Sequence, residues 1–380
     1  MSRPRVLVTC FPQAGHLHPM IPTARALADA GCPVLVATAA AEHATLAAAG
    51  LQPADLGPTH PATMTRLPEV MPEITAAPRS RQRAIAFSFL FARVYAHAVA
   101  GGLLALARTW RADVILASLE SLAGPLVAAQ LRLPLVVNGF GTGLPGDVCD
   151  ATVREVAPLW EAAGLPPSPL AGIFDGLFVD PCPPSLRPPS VPSSPRVQPI
   201  RPALFDGDGA LPALPKRRPL VYVTFGTNAR FATPDRLQRV AAAVAAAGAG
   251  AVITGAEPGD LGPLPDGVVA HRFVPQSALL PHCHAVICHG GASTLLGALA
   301  SGLPLLLMPL GADHFANAAA AVRRGVATEV EDDADALAAG VARLLADRAQ
   351  REAAAAVAGE IAAMPSAAAA AGGILRWLGC

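Results

Sequence analysis

The chain has 380 residues, 52% of them hydrophobic and only 15% charged, with 28 Lys+Arg balancing 28 Asp+Glu. At roughly 150 residues per domain this length points to two domains, and the apolar content supplies a sizeable core for each. A formal net charge of zero excludes the basic face that displaces counterions from nucleic acid, a polybasic membrane patch and a disordered acidic tail.

Taken in chain order, Val6 to Thr9 reads as a β-branched apolar strand and Gln13 to His18 as a polar loop. Pro19 and Pro22 fit a helix start, Gly31 a helix stop, and Val34 to Ala37 the next strand. A Pro-rich loop (about Gly57 to Pro78) and a long helix (about Arg81 to Thr109) come before strands at Val114–Ala117 and Leu135–Val137. Continuous apolar strands alternating with helices indicate parallel pairing, buried on both faces. From about 181 to 218 proline is too dense for helix or central strand and reads as an extended linker. The alternation then restarts, with strands at Leu220–Phe225, Ala251–Thr254, Val268–His271, Ala285–Cys288 and Pro304–Met308. Met364-Pro365-Ser366 interrupts the last helical region before 367–378.

The most apolar stretch, Leu295 to Leu310, is broken by Gly297, Gly302, Pro304 and Pro309, whereas a spanning helix needs about 20 uninterrupted apolar residues. The N-terminal apolar run ends at Pro12 with no small-residue cleavage site close behind, unlike a signal peptide. Seven cysteines, odd in number and without paired spacing, fit reduced thiols. These features predict a cytoplasmic protein with no membrane insertion and no nucleic-acid partner.

In α/β sheets ligands gather beyond the carboxyl ends of the strands. Two post-strand segments carry chemistry. After Cys288 come His289-Gly290-Gly291-Ala292-Ser293-Thr294 and then a helix. Two glycines let backbone approach a ligand, Ser293 and Thr294 offer hydroxyls, and the helix start presents unpaired N–H groups to an anion. The same residues also suit an ordinary tight strand-to-helix turn; neither a P-loop nor G-x-G-x-x-G is present. After the first strand comes Gly15-His16-Leu17-His18-Pro19, where a histidine, with an ordinary pKa near ~6.5, suits proton removal.

The second half adds more motifs in order: V-Y-V-T-F-G-T from Val221, F-V-P-Q-S-A-L-L-P from Phe273, H-G-G-A-S-T from His289 and P-L-G-A-D-H-F-A-N-A from Pro309. With these the chain resembles the family 1 nucleotide-sugar-dependent glycosyltransferases, most closely the bacterial enzymes that decorate antibiotics and other natural products. The resemblance implies the α/β fold called GT-B: two doubly wound Rossmann-like domains with an interdomain cleft. Residues 1–203 would bind the acceptor, 219–364 the nucleotide-sugar donor, and 365–380 would form a helix packing back on the first domain. His289, Gly290, Gly291, Ser293 and Thr294 would hold the donor diphosphate, with Thr227 near the phosphates. Val274 and Gln276 would lie beside nucleobase and ribose, and Asp313 and His314 would meet sugar hydroxyls. The family commonly has Ser-Gly-Thr where this chain has Ala292-Ser293-Thr294, and often Gln at the position of His314.

G-H-x-x-P matches the family's catalytic motif and selects His16 over His18 as base. The family's orienting acid ends the strand before an A-G-P helix, and an ungapped match puts Ser118 there. Glu120, two residues on, is the candidate replacement; otherwise His16 has no acid partner and Glu120 is an exposed glutamate at a helix start. The acceptor would be lined by the variable loops Gly57–Pro78 and Gly139–Pro158 and by the helix bearing Phe87, Phe91 and Tyr95, whose Phe residues read as core ahead of pocket. The implied reaction is inverting transfer of a deoxysugar from a nucleoside diphosphate, thymidine favoured over uridine, to a natural-product aglycone hydroxyl. A nucleotide sugar is the co-substrate, with no cofactor and no metal. A catalytically silent relative that binds nucleotide sugar or assists a partner enzyme is the alternative. A homodimer is compatible with the sequence.

Three segments look like metal sites by composition: His282-Cys283-His284, Asp206-Gly207-Asp208 and Asp333-Ala334-Asp335. None has spaced convergent ligands or follows a suitable strand, so the aspartates are expected to be solvated.

Overall fold

The computed structural model describes residues 3–192, 194–207, 209–226, 228 and 230–380. They form two compact units, each assembled from separated stretches of chain. One comprises Met1–Pro181, Pro189–Arg201 and Pro365–Cys380; the other comprises Cys182–Pro188 and Pro202–Met364.

The first unit is built on a parallel sheet of β1 (Val6–Thr9), β2 (Val34–Thr38), β3 (Gln52–Asp55), β4 (Val114–Ser118), β5 (Leu135–Asn138), β6 (Leu177–Asp180) and β7 (Val197–Pro199). Their spatial order is β3-β2-β1-β4-β5-β6-β7. The order reverses between β1 and β4, which pair in register Val6↔Val114 to Thr9↔Ala117. Strands β1, β2, β4, β5 and β6 are buried throughout, whereas the two edge strands are half exposed. This is the burial expected of central strands covered by helices on both faces. The helices in chain order are α1 (Ala14–Leu17), α2 (Ile21–Asp29), α3 (His43–Ala48), α4 (His60–Met64), α5 (Met71–Ala76), α6 (Arg79–Phe87), α7 (His97–Trp110), α8 (Ala123–Leu131) and α9 (Gly146–Ala162).

Three segments depart from the sequence reading. Residues 57–78 are not a loop: they wind into α4, a 3-10 turn (Leu67–Glu69) and α5, each with a proline in its first turn. A helix start has no use for the N–H that proline lacks, so proline density there marks short helices. The stretch after Gly139 likewise becomes α9, which holds Pro158 internally. The proline-dense region is not a free linker either. A 3-10 turn (Pro184–Leu186) joins the second unit, and β7 completes the first sheet at an edge, where proline is tolerated.

Between α6 and α7 the chain stays helical through a π-helical segment, Ser88–Ala96. The whole run Arg81–Trp110 is long and apolar enough to cross a bilayer, more so than the interrupted Leu295–Leu310. Its apolar residues Phe87, Tyr95, Val99, Leu103 and Ala107 lie in the unit's core cluster.

The second unit has its own parallel sheet: β8 (Leu220–Thr224), β9 (Gly250–Thr254), β10 (Val268–His271), β11 (Ala285–Cys288), β12 (Leu305–Leu307) and β13 (Ala327–Glu329), in the order β10-β9-β8-β11-β12-β13. Side chains alternate between its two faces. Val221, Val223 and Ile287 join one core cluster, and Leu220, Tyr222 and Val286 join the other. Around it lie α10 (Pro234–Ala246), α11 (Gln276–Leu279), α12 (Ala292–Ala300), α13 (His314–Arg323), α14 (Ala334–Ala346) and α15 (Arg348–Ala363). Cys182 and Leu186 are buried in this unit's core, and Glu360 accepts from the Ser185 N–H at 2.9 Å. The last helix, α16 (Ala367–Trp377), belongs to the first unit and packs on α2, β6 and β7.

Candidate active site

In the first unit the candidate residues gather where the strand order reverses. His16 sits on α1, a single helical turn directly after β1, and not in a loop. Its Nδ1 lies 3.0 Å from Oε1 of Glu120, which occupies the turn between β4 and α8. Glu120 is completely buried, so the reading of an exposed glutamate at a helix start is wrong. The turn is fixed from several sides. The Leu119 N–H donates to the Asn138 carbonyl, the Ser121 hydroxyl bonds the Thr9 hydroxyl at 2.9 Å, and the Ser118 hydroxyl donates to Glu120 Oε1 at 2.7 Å. The A-G-P segment also gains a reason. A Cβ at Gly124 would stand 2.6 Å from the Ala117 Cβ, so only glycine lets α8 settle this closely on β4.

Burial by itself would raise the Glu120 carboxyl. The neighbouring His16 charge, with bonds from His16 and Ser118, outweighs it and holds the group below its ordinary value. Glu120 is therefore a buried carboxylate whose charge is matched by its neighbours.

Aromatic rings enclose the imidazole. Phe11 and Phe140 meet it edge-on at 5.4 and 5.5 Å, and Phe91 lies tilted against it at 5.3 Å. Phe91 comes from the π-helical segment and Phe140 follows β5. Phe87 and Tyr95, by contrast, are core, with the Tyr95 hydroxyl donating to the Cys10 carbonyl at 3.0 Å. His60, at the start of α4, flanks Phe11, and burial together with the proximity of His16 keeps it below the ordinary histidine range. Phe11, Phe140 and His60 carry no motif that would single them out in the sequence.

In the second unit the donor-type residues also sit at a strand-order reversal, between β8 and β11. His289 follows β11, and its buried ring fills the space beside two glycines. A Cβ at Gly226 would be 3.0 Å from the ring, and one at Gly291 only 2.5 Å from its Nε2. Burial lowers the His289 pKa against the opposing pull of Asp313 and the Thr224 carbonyl. The ring is accordingly neutral at neutral pH. Gly290 adopts φ +86°, a conformation natural to glycine, and Gly291 opens α12.

Ser293 is half-buried at the start of α12, and Thr294 is buried, accepting from Gln276 Nε2 at 3.2 Å. Val274 belongs to the core cluster, so the outward side chain of that segment is its neighbour Phe273, 61% exposed. His314 is buried edge-on against His289 at 4.4 Å between ring centres, with its Nδ1 facing the Leu310 N–H at 3.4 Å. Asp313 remains the half-exposed member of that pair. Thr227 lies outside the described residues. Asn317, given no role in the sequence reading, donates to both the Gly290 carbonyl and the Asp313 carboxylate.

The metal-like segments have other work. Asp206 accepts from the Ser277 N–H and hydroxyl, Asp333 caps α14, and His284 Nδ1 accepts from the Leu220 N–H. The two aspartates are thus caps and not merely solvated. Among the described residues no group of three or more His, Cys, Asp or Glu side chains is placed to hold a metal ion.

Comparison with known proteins places this geometry. The family model for the erythromycin biosynthesis protein CIII-like C-terminal domain matches residues 236–375. The elloramycin glycosyltransferase ElmGT of Streptomyces olivaceus is 34% identical over 390 aligned residues, covering 95% of this chain and 94% of that protein. The chain belongs to the GT-B glycosyltransferases of natural-product biosynthesis. This glycosyltransferase superposes on the glycosyltransferase SnogD from Streptomyces nogalater with a TM-score of 0.78, 30% identity and 99% of both chains covered. It superposes on spinosyn rhamnosyltransferase SpnG, in the structure complexed with thymidine diphosphate, with a TM-score of 0.82 and 29% identity, covering 99% of this chain and 100% of that one. The glycosyltransferase acts on two small molecules, a sugar donor and a natural-product acceptor.

Proposed function

We propose that the enzyme transfers a deoxysugar from thymidine diphosphate to a hydroxyl of a natural-product aglycone, inverting the anomeric carbon, with His16 as base. The observation that carries this reading is the 3.0 Å approach of His16 Nδ1 to a buried, ionised Glu120. A proton held on Nδ1 facing that carboxylate leaves the basic lone pair on Nε2, and the carboxylate stabilises the imidazolium that forms. As the acceptor oxygen bonds the anomeric carbon, its proton passes to Nε2 and the bond from that carbon to the diphosphate oxygen breaks. One displacement inverts the centre.

The leaving diphosphate is received by the N–H groups opening α12 and by neutral His289, with the Ser293 and Thr294 hydroxyls beside them. This supplies the negative charge with donors and asks for no metal ion. Asp313 is the acceptor for sugar hydroxyls, while His314 backs His289. Gln276 lies on the nucleotide side. Thymidine diphosphate as carrier is supported by the SpnG complex, and a deoxysugar by that relative's rhamnosyl specificity. The rings of Phe11, Phe91 and Phe140 around His16 suit an apolar aglycone.

The test is release of thymidine diphosphate with a panel of thymidine diphosphate sugars and phenolic and macrocyclic acceptors, in chelator. His16→Ala is expected to lower turnover about 10²-fold or more, the usual worth of a general base. Turnover within a few-fold of wild type, or release abolished by chelator, would overturn the mechanism.

A further inference from the structure

We propose that Asn317 is a positioning residue that locks the diphosphate loop and the Asp313 carboxylate into one geometry, so that nucleotide and sugar are read together; this rests on the donor-site reading above. Asn317 is 1% exposed. Its Nδ2 donates both its hydrogens, one to the Gly290 carbonyl at 2.9 Å and one to Asp313 Oδ2 at 2.6 Å. The second partner lies one turn earlier on α13. Asp313 is the N-cap residue of that helix, yet its carboxylate makes no capping bond; the amide holds it instead.

The first bond acts through peptide planarity. In a trans peptide the carbonyl and the following N–H lie in one plane and point in opposite directions. Tying the Gly290 oxygen back to α13 therefore aims the Gly291 N–H away from α13, alongside the N–H groups that open α12 and that a helix leaves unpaired. Gly290 permits the approach, since a Cβ there would lie 3.2 Å from the His314 carbonyl oxygen. The second bond restrains one carboxylate oxygen and turns the other to the ligand. Among the described residues the Asp313 carboxylate makes no further hydrogen bond. One amide thus sets both the phosphate donor and the sugar acceptor.

Calorimetric affinities of the full chain for thymidine diphosphate and thymidine diphosphate-glucose test this in wild type, Asn317→Ala, Asp313→Ala and the double variant. Asn317→Ala is expected to weaken thymidine diphosphate about tenfold and to lose the extra affinity conferred by the sugar. Asp313→Ala should keep the nucleotide affinity within about twofold and lose only the sugar increment, with no further loss of that increment in the double variant. Unchanged nucleotide affinity in Asn317→Ala, or sugar losses that simply add, would overturn the proposal. So would a wild type that binds both probes equally, since Asp313 would then read no sugar. If thermal melting shows Asn317→Ala unfolded, Asn317→Ser, with a single donor, replaces it: loss of one of the two affinities supports the proposal and retention of both overturns it. A wild type that binds neither probe overturns the donor-site reading itself.

Discussion

The Ser118 hydroxyl and the His16 imidazole converge on one oxygen, Glu120 Oε1, at 2.7 and 3.0 Å. Ser118 stands at the end of β4, where the resemblance puts the family's acid, and Glu120 stands two residues further, in a buried turn. On the proposed mechanism the serine serves as a support for a displaced carboxylate, and the dyad is restored by different residues.

Replacing Glu120 by Gln keeps the shape and removes the charge. Turnover is expected to fall about 10²-fold or more, because the imidazolium loses its counterion and the Nδ1 proton its fixed acceptor. The acid limb of the kcat/KM profile should move to lower pH, since a nearby negative charge is what favours the protonated ring. Stopped assays across the acid range check both; turnover within threefold of wild type would remove Glu120 from the chemistry.

The two acid positions make a second prediction. In a Glu120→Ala background, Ser118→Asp should recover about tenfold of the lost turnover, because the new carboxylate starts from the position whose hydroxyl already reaches Oε1. No recovery, with the double variant folded by circular dichroism, would show that the turn and not the strand end sets the reach.

Gly291→Ala probes the glycine beside His289. Its φ of −61° is ordinary, so any effect comes from the Cβ, which would meet His289 Nε2 at 2.5 Å. The ring is hemmed in by His314 at 4.4 Å and cannot move aside cheaply. Donor KM should rise about tenfold, with overpacking of about 1–3 kcal/mol in unfolding free energy. A donor KM equal to wild type would contradict the placement of His289 at the diphosphate.

Because burial depresses the pKa of His289, the ring stays neutral above and through the ordinary histidine value of ~6.5. Affinity for a thymidine diphosphate sugar, whose diphosphate diester does not titrate there, should be flat from neutrality down to about that value. A rise in calorimetric affinity as pH falls through it would show that a charged imidazole holds the diphosphate.

Central strands were legible because a fully buried strand must be a continuous apolar run: Val6–Thr9, Val114–Ser118 and Ala285–Cys288 announce themselves. Gln52–Asp55 and Val197–Pro199 did not, since half-exposed edge strands need no such run. Leu177–Asp180 is fully buried but was hidden by the prolines that follow. His16 was legible through its spacing to glycine and proline. Its pairing with Glu120 was one of two readings left open, the other an exposed glutamate, because more than a hundred residues separate them and only the pairing of β1 with β4 closes the gap. Motifs also fail to say which way a side chain faces: Val274 and His314 point inward, and Asn317 acts through two bonds that exist only once α13 lies against the Gly290 turn.

The stretch Cys182–Pro188 leaves the first unit, buries Cys182 and Leu186 in the second, and returns to supply β7. Engineers who exchange donor halves between such enzymes at a single junction near residue 202 would graft a core missing its Leu186 plug, a defect on the scale of a large-to-small substitution, about 2–5 kcal/mol. The recipient would keep a heterologous finger shaped for the discarded core. Working hybrids must therefore transplant 182–188 together with 202–364, or rebuild the socket for the resident leucine.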